Sequence, residues 1–374
     1  MVIAATTVGH RATALEGRAG ATVEFLDAAE PADRQRWLDV WSGWPRRDIM
    51  AHPDYVRLFV RPGDRAVGAL LRTEAGGILY PVIVRPLASE PWAEPGARGC
   101  DLTTAYGYGG PFQWGATEED ARNFWTQFDA WAAAQGAATS FARLSLFPDE
   151  LLPFNGDVVS NGPNVVVRVD VPKETLWNEY RSEARRSVGM ARDRNVTIAF
   201  DPTGKRLDEF LAVYTSTMDR RNASRGYYFP RSFFETFIQN LAGHFTFVHA
   251  IAGGRVISSE IVLLSAEHAC SYLGGTLAEG FALAPNYLIK HESFLWCRDQ
   301  GRKAVVLGGG YQPNDGILRY KQRFTRAADR KFLLGRRTYD ADACRRLVER
   351  RREWELGRGI RWTPAADFFP EYRA

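Results

Sequence analysis

Lys321 stands in a sequence setting that suits the stabilisation of negative charge. It is one of only six lysines in the chain, and it lies in the run Tyr320-Lys321-Gln322-Arg323-Phe324. A compact ammonium can stabilise charge that develops on a carbonyl oxygen or on a leaving ribose or phosphate oxygen. The alternative interpretation is an edge strand that carries a surface lysine. We therefore take Lys321 as a candidate catalytic residue.

A glycine-rich turn precedes this lysine. An apolar strand from Ala304 to Leu307 is predicted to end in Gly308-Gly309-Gly310, which Tyr311 follows. Free backbone N–H groups in such a turn can face an anion or a developing oxyanion. The sequence therefore predicts a site where a buried strand ends.

A second candidate is the loop from Ala105 to Phe112, which contains Tyr106, Tyr108 and three glycines, among them Gly109. Glycine lets a ligand or another backbone approach closely, and tyrosine offers a ring face and a hydroxyl. The loop either lines a binding cleft or is a tight turn with packed tyrosines.

Cations concentrate in two further stretches. The helix predicted from Lys173 to Arg194 carries several arginines, and the run Met218 to Asn222 includes Arg220 and Arg221 before an aromatic loop. Guanidinium groups beside aromatic rings suit a phosphate and a base that stacks, as in a nucleotide or the terminal adenosine of a tRNA. A solvated basic face and a plain connecting loop remain the alternatives.

Several kinds of site are excluded by the absence of their motifs. The sequence has no P-loop, no G-x-G-x-x-G after a strand, no H-E-x-x-H and no G-x-S-x-G. The four cysteines are far apart, which argues against a disulfide framework and a zinc site, and we expect no metal. His244 and His249 are expected to be packed residues, and Glu260 is either a base or a satisfied polar residue.

The length and the charge of the chain limit the number of domains and the kinds of partner that we expect. A chain of 374 residues with 45% hydrophobic and 25% charged residues is expected to form two packed domains. Residues 1–165 carry 14 Arg, no Lys and 20 acidic residues, a net charge of −6, so residues 166–374 carry +10. A basic second half is compatible with an anionic partner such as a tRNA, a nucleotide or coenzyme A. No transmembrane run or signal pattern is found, so we expect a cytoplasmic protein.

Both halves alternate strands and helices, which predicts an α/β fold with mixed sheets. The polar stretch between Pro153 and Asn164 is expected to interrupt the strands and to separate two modules, 20–160 and 161–340. The second module carries the main site.

The ordered motifs resemble the Fem-type transferases (the FemABX group), a two-module branch of the GNAT acyltransferase superfamily, over roughly residues 35–340. The similar pieces are the Tyr106–Pro111 loop, Arg185–Arg192 with Asn195–Ile198, Tyr214–Arg220, Gly253–Arg255, Tyr272–Thr276, Ala284–Tyr287, Leu307–Gly310 and Tyr320–Phe324.

The resemblance implies two tandem GNAT-like modules with mixed, mostly antiparallel sheets, a cleft between them, and residues 341–374 packing back on the first. It implies transfer of an amino acid from aminoacyl-tRNA to an amine of a peptide-containing or nucleotide-linked acceptor, without a cofactor. The implied acceptor is a cell-wall (peptidoglycan) precursor or, as in antibiotic biosynthesis, a natural-product peptide or nucleoside. Tyr320 and Lys321 match the aromatic-lysine pair near the reacting carbonyl, and either Arg220 or Arg221 resembles the arginine that holds the acceptor's phosphates. The expected substrate-binding residues are Arg220, Arg221, Tyr106, Tyr108, Gly109, Tyr272, Asn286, Tyr287, Gly308, Gly309, Gly310, Tyr311 and Arg323.

Two departures from the family keep other functions open. The chain lacks the long helical hairpin of larger members, which is associated with tRNA binding. The string Arg186 to Ala191 fits the coenzyme A motif R/Q-x-x-G-x-G/A, although it is predicted to lie inside a helix. The alternatives are an acyl-CoA-dependent N-acyltransferase that acts on a sugar or peptide amine, and a binding module without activity. We expect a monomer.

Overall fold

The computed structural model describes residues 21–312 and 315–374. Residues 1–20, where the sequence shows no leader pattern, lie outside the described part. The elements of the first half are β1 (Glu24–Asp27), α1 (Pro31–Gly43), α2 (Pro53–Arg57), β2 (Arg65–Arg72), β3 (Gly77–Pro86), β4 (Cys100–Thr103), β5 (Phe112–Trp114), α3 (Glu118–Ala134) and β6 (Ala137–Arg143).

The second half continues with a longer series of elements. They are β7 (Asp157–Arg168), α4 (Lys173–Glu179), α5 (Ser182–Asp193), β8 (Thr197–Asp201), α6 (Leu207–Arg220), α7 (Arg231–Asn240), β9 (Phe245–Ala252), β10 (Arg255–Leu264), β11 (His268–Thr276), α8 (Pro285–Asp299), β12 (Ala304–Gly308), α9 (Gly316–Lys321), β13 (Arg330–Thr338) and α10 (Ala341–Gly357).

Hydrogen bonds connect the strands in the order β1-β2-β3-β4-β6-β13-β7-β12-β11-β10-β9-β8, and β5 pairs with β3. The β4–β6 and β11–β12 pairs are parallel. The other strand pairs are antiparallel. The predicted α/β fold with mixed, mostly antiparallel strand pairing is confirmed.

Strand β7 joins the two halves. Its residues from Asp157 to Asn164 pair with β13, and those from Val165 to Arg168 pair with β12. The prediction that the polar stretch interrupts the strands is therefore wrong. The stretch stays extended because β13, which the sequence did not predict, pairs with it and also with β6. No break in strand pairing marks the boundary at residue 160, and the division into two modules stays a prediction.

The hydrophobic clusters follow the alternation of the strands. Val166 belongs to a cluster that both halves share, with Trp37 from α1 and Phe210 from α6. Its neighbours Val165 and Val167 point to the opposite face and join a cluster made by the second half alone. Because side chains alternate along a strand, one sheet supplies both layers of core.

The stretch predicted as one helix from Lys173 to Arg194 is two helices. Tyr180 is extended, with φ −66° and ψ 145°, and ends α4. The N–H of Arg181 donates to the carbonyl of Arg323 at 2.8 Å instead of continuing the helix. This tertiary hydrogen bond links the start of α5 to the segment after Lys321.

The C-terminal residues contact the first half. Tyr372 is buried beside Trp92, and its hydroxyl lies 3.0 Å from that of Thr139. Arg373 forms ion pairs with Asp101 and with Glu90. In the described ranges, no helix has the length and apolar character that a membrane crossing requires.

Candidate active site

A cavity of about 610 Å³ lies where β12 ends, between the two halves of the chain. Eight of the predicted site residues line it. They are Tyr106, Tyr108, Tyr272, Gly308, Gly309, Gly310, Tyr311 and Lys321. The structure thus brings the tyrosine loop, the glycine turn and the lysine to one place, although they are far apart in sequence.

Lys321 is held at the end of the short helix α9. Asp315 caps this helix by accepting from the N–H of Leu318 at 2.8 Å, and it also accepts from the N–H of Tyr311 at 2.6 Å. The Nζ of Lys321 donates to the carbonyl of Gly309 at 2.7 Å. One carboxylate therefore fixes both the glycine turn and the helix that presents the ammonium.

Burial in this wall and, to a smaller extent, the nearby charge of Lys290 lower the pKa of Lys321 to about 8. At pH 7 the group is still mostly protonated. The ammonium can therefore stabilise an oxyanion, while its desolvation makes that interaction stronger than it would be in water.

Lys290 lies behind Lys321 on α8. Its ammonium contacts the carboxylate of Glu260 and the hydroxyl of Ser271. Glu260, which the sequence left open as a base, is therefore the partner of Lys290. Its second oxygen, Oε1, has no hydrogen-bond partner among the described residues.

The hydroxyl of Tyr108 and the side chain of Asn164 complete the wall around Gly308. The hydroxyl donates to Oδ1 of Asn164 at 2.6 Å. Gly308 has φ +79°, and a Cβ there would lie 2.9 Å from the Tyr108 hydroxyl and 3.4 Å from the Lys321 Nζ. This position requires glycine both for its backbone and for the space that the three polar groups share.

The N–H groups of Gly309 and Gly310 donate to no partner within residues 21–312 and 315–374. Both glycines line the cavity together with Lys321. A turn with free N–H groups and an adjacent ammonium is an arrangement that binds a developing oxyanion.

Arg143, at the end of β6, lines this cavity and a second one of about 570 Å³. Burial lowers the pKa of its guanidinium. In the described part of the chain, it lies over the ring of Phe141, and no carboxylate pairs with it. The second cavity also has Arg61, Arg85 and Arg336 in its wall. A half-buried guanidinium that pairs with no carboxylate of the described residues favours an anionic ligand.

Four predicted site residues form a separate cluster behind the wall. The Tyr320 hydroxyl donates to the carbonyl of Asn286 at 3.0 Å, and Arg323 donates to the Tyr287 hydroxyl at 2.5 Å. The rings of Tyr287 and Tyr320 are 4.9 Å apart and nearly perpendicular. These contacts pack α8 against α9, and the roles of the four residues in binding or catalysis stay predictions.

Gly109, Arg220 and Arg221 also lie outside the cavity. Gly109 makes two backbone hydrogen bonds to the segment after β6. Its N–H donates to the carbonyl of Arg143 at 2.7 Å, and its carbonyl accepts from the N–H of Ser145 at 2.8 Å. Arg220 and Arg221 are exposed at the end of α6, where the Arg220 guanidinium lies 4.7 Å from the ring centre of Phe281.

Sequence reasoning missed Asn164, Arg143, Ser271 and Lys290 at this site. Lys290 was recognisable only as one of the six lysines, and the other three lie in ordinary strand patterns. His244 and His249 are packed, as expected: His244 lies against the ring of Trp41, and His249 is fully buried with Nδ1 2.9 Å from the Ser259 hydroxyl.

Residues 178–322 match the family model of the acetyltransferase (GNAT) domain. The match covers less than half of the chain, begins in α4 and ends next to Lys321. The GNAT domain therefore includes the glycine turn, Tyr272 and Lys321, but not the tyrosine loop. No curated protein sequence matches the chain closely enough to count as a relative.

Solved structures show the same fold at low identity. FemX superimposes with a TM-score of 0.62 and 11% identity, over 80% of this chain and 95% of that one. A conserved protein of unknown function from Bacteroides thetaiotaomicron superimposes with a TM-score of 0.54 and 10% identity, over 81% of this chain and 96% of that one. A third structure is the C-terminal domain (DUF2156) of a protein named as a lysylphosphatidylglycerol synthetase from Agrobacterium fabrum. It superimposes with a TM-score of 0.52 and 13% identity, over 81% of this chain and 92% of that one. At these identities, the likeness concerns the fold.

Proposed function

We propose that this protein is an acyltransferase that moves an aminoacyl group from aminoacyl-tRNA to an amine of a peptide-containing acceptor. The observation that carries the proposal is the Lys321 ammonium, 2.7 Å from the Gly309 carbonyl in a glycine turn that lines the cavity. The FemX fold and the basic second half of the chain support an aminoacyl-tRNA donor.

The chemistry needs little beyond positioning and charge stabilisation. An aminoacyl ester is already activated, so the enzyme holds a neutral amine against its carbonyl carbon. The C–N bond forms, and the oxyanion of the tetrahedral intermediate is stabilised by Lys321 and by the N–H groups of Gly309 and Gly310. The C–O bond to the ribose then breaks, and the amine proton leaves to the ribose oxygen or to water. No catalytic dyad is required.

Arg143 suits the acceptor rather than the donor ester. It stands between the two cavities, so an acceptor in the second cavity can reach Lys321 with its amine while Arg143 binds a carboxylate or phosphate of the same molecule. A peptide-containing or nucleotide-linked acceptor carries such anionic groups.

An acyl-CoA donor is the second candidate, because the matching family model is the acetyltransferase (GNAT) domain. The string from Arg186 to Ala191 that fits the coenzyme A motif lies inside α5, where backbone N–H groups are used within the helix. It therefore offers no turn for a pyrophosphate, and the aminoacyl-tRNA donor stays the first proposal.

The donor is identified by a competition between two labels. The protein is incubated with charged tRNA or acetyl-CoA, each radiolabelled in its acyl group, and with a mixture of peptide and nucleotide-linked amines. We expect label to move from the tRNA into an amide. Lys321→Met should slow the transfer by ~10²–10³-fold, whereas Lys205→Met, which changes an exposed lysine outside the cavity, should leave it unchanged. Transfer from acetyl-CoA alone would overturn the proposed donor.

A further inference from the structure

Ser271 lies at the point where strands β11 and β12 separate. The parallel pairing between these strands ends with Cys270 opposite Val306, so Ser271 is the first residue of β11 past the last pair. Ser271 and the following Tyr272 both line the cavity of the candidate active site, as does Lys321. Ser271 is therefore part of the same cavity wall as the candidate catalytic lysine.

A buried ion pair stands behind Ser271. Lys290 on α8 and Glu260 on β10 are exposed by only 6% and 9%, and the Lys290 ammonium contacts the Glu260 carboxylate. The same ammonium donates to the hydroxyl oxygen of Ser271. Taking two charges out of water is costly, and apolar side chains of similar volume are often at least as stable in such a place. Stability is therefore a weak explanation for this pair, and a role in the neighbouring site is the stronger one.

The hydrogen bonds of this cluster leave one donor for a ligand. The Ser271 oxygen accepts from Lys290, and no described residue accepts the proton of the Ser271 hydroxyl. A hydroxyl that accepts from a charged donor becomes a stronger donor itself, because hydrogen bonds in a chain polarise one another. Since Ser271 lines the cavity, this proton is available to an anion that binds there.

We propose that Ser271 is a further catalytic residue, whose hydroxyl donates to the same oxyanion as the Lys321 ammonium, and that Lys290 is the positioning residue behind it. The identity of the anion rests on the proposed acyl transfer: it is the oxyanion of the tetrahedral intermediate. The Ser271 hydroxyl keeps its proton and the Lys290–Glu260 pair keeps its charges, so the transfer needs no additional proton acceptor.

The ion pair also acts on Lys321. The titratable groups that face Lys321 are Lys290, Cys270, Glu260 and Asp315. The charge of Lys290 lowers the pKa of Lys321, and the other three groups raise it. Lys290 has the larger influence of the two members of the ion pair, so removal of both should raise the pKa of Lys321.

The test is the binding of inorganic phosphate, a tetrahedral oxyanion, by the full chain. The protein is labelled with lysine that carries ¹³C at Cε, which gives six signals, one for each lysine. The signal of Lys321 is identified by its loss in Lys321→Arg. We expect phosphate to shift this signal in a saturable way. Ser271→Ala should raise the Kd of phosphate about tenfold, and Ser271→Thr, which keeps a hydroxyl, should recover most of the affinity.

Two further variants separate polarisation from packing. Ser293→Ala removes a buried hydroxyl on α8 that has no hydrogen-bond partner among the described residues, and it should bind phosphate like the original protein. The double variant Glu260→Leu with Lys290→Met replaces the ion pair by apolar side chains and leaves no unpaired charge. It should weaken phosphate binding and raise the pKa of Lys321, which the same ¹³C signal reports. Ser271→Ala should weaken binding without this pKa change.

The transfer assay is the second readout. Ser271→Ala should lower kcat about 10²-fold with the KM of both substrates nearly unchanged. Circular dichroism checks folding, and the double variant carries the test if Ser271→Ala is not folded. An equal phosphate Kd in Ser271→Ala, an unchanged kcat, or no effect of phosphate on Lys321 would overturn the role of Ser271. An inactive original protein whose phosphate binding still depends on Ser271 would instead overturn the acyl transfer and leave the anion site in place.

Discussion

The carbonyl of Gly309 accepts a hydrogen bond of 2.7 Å from the Nζ of Lys321, and this contact fixes the ammonium against the glycine turn in the cavity wall. The two residues come from different elements, β12 with its following turn and α9. The carboxylate of Asp315 connects these elements, because it accepts hydrogen bonds from the N–H of Tyr311 in the turn and from the N–H of Leu318 in α9. The ammonium and the glycine turn are therefore held together in the cavity wall before any substrate binds.

Lys321→Met should lower kcat by ~10²–10³-fold, because the ammonium acts on charge that appears only in the transition state. Lys321→Arg should not restore full activity, since a broad planar guanidinium cannot occupy the site of a point charge. Steady-state transfer with the true donor measures both. A folded Lys321→Met enzyme with unchanged turnover would mean that the lysine has no part in the chemistry.

Activity should fall as the pH rises above about 8. The pKa of Lys321 is lowered to about 8 by burial and by Lys290, so the ammonium is lost in this range. Each further pH unit then lowers the active fraction about tenfold. The measurement is kcat/KM against pH, with ester hydrolysis of the donor subtracted. In Lys321→Met, the residual activity should show no such alkaline decline.

The buried ammonium of Lys321 should also lower the free energy of unfolding of the protein. Its pKa in the folded state, about 8, is below the ordinary value of 10.5, so the folded protein binds this proton less well than the unfolded chain. The penalty is fully present below pH 8 and disappears as the pH rises from 8 towards 10.5. Lys321→Met should therefore unfold with a free energy about 1–3 kcal/mol higher at pH 7. Urea unfolding at pH 7 and pH 10 measures the difference, which should shrink at the higher pH.

The sequence predicted most of the elements that periodicity marks, and with them eight of the residues that line the cavity. Gly308 to Gly310, Lys321 and the two loop tyrosines carry local signals, namely glycine runs and unusual residue types. Arg143 and Asn164 carry none, since each is an ordinary residue of a strand pattern whose importance comes from strand order. That order depends on β13, which pairs with β6 and β7 at long range. Tyr320 shows the reverse case, because its position beside Lys321 in sequence does not bring its hydroxyl into the cavity.

Arg143 and the pair Arg220 and Arg221 should affect different substrates. Arg143→Leu removes a half-buried cation from the walls of both cavities and should raise the KM of the acceptor about tenfold or more, with kcat nearly unchanged. Arg220→Ala and Arg221→Ala remove exposed cations at the end of α6 and should raise the KM of the donor tRNA and reduce its salt dependence. Kinetics with each substrate varied at low and physiological salt separate the two effects. A loss of kcat without a change in KM would place the altered arginine at the reacting atoms.

Gly308→Ala should disable the site through the space around Lys321 as well as through the backbone. Gly308 has φ +79°, and the new Cβ would lie 2.9 Å from the Tyr108 hydroxyl and 3.4 Å from the Lys321 Nζ. Gly301→Ala is the matched control, since Gly301 has φ +77° but no heavy atom within 4 Å of a Cβ. Both variants carry the backbone strain of about 1–2 kcal/mol for a left-handed alanine. Only Gly308→Ala should also lose activity, and removal of the crowding hydroxyl in Gly308→Ala with Tyr108→Phe should recover part of its stability. Thermal melting and transfer assays on the four variants, Tyr108→Phe alone included, measure this coupling, and equal activity in the two alanine variants would show that the turn does not need this space.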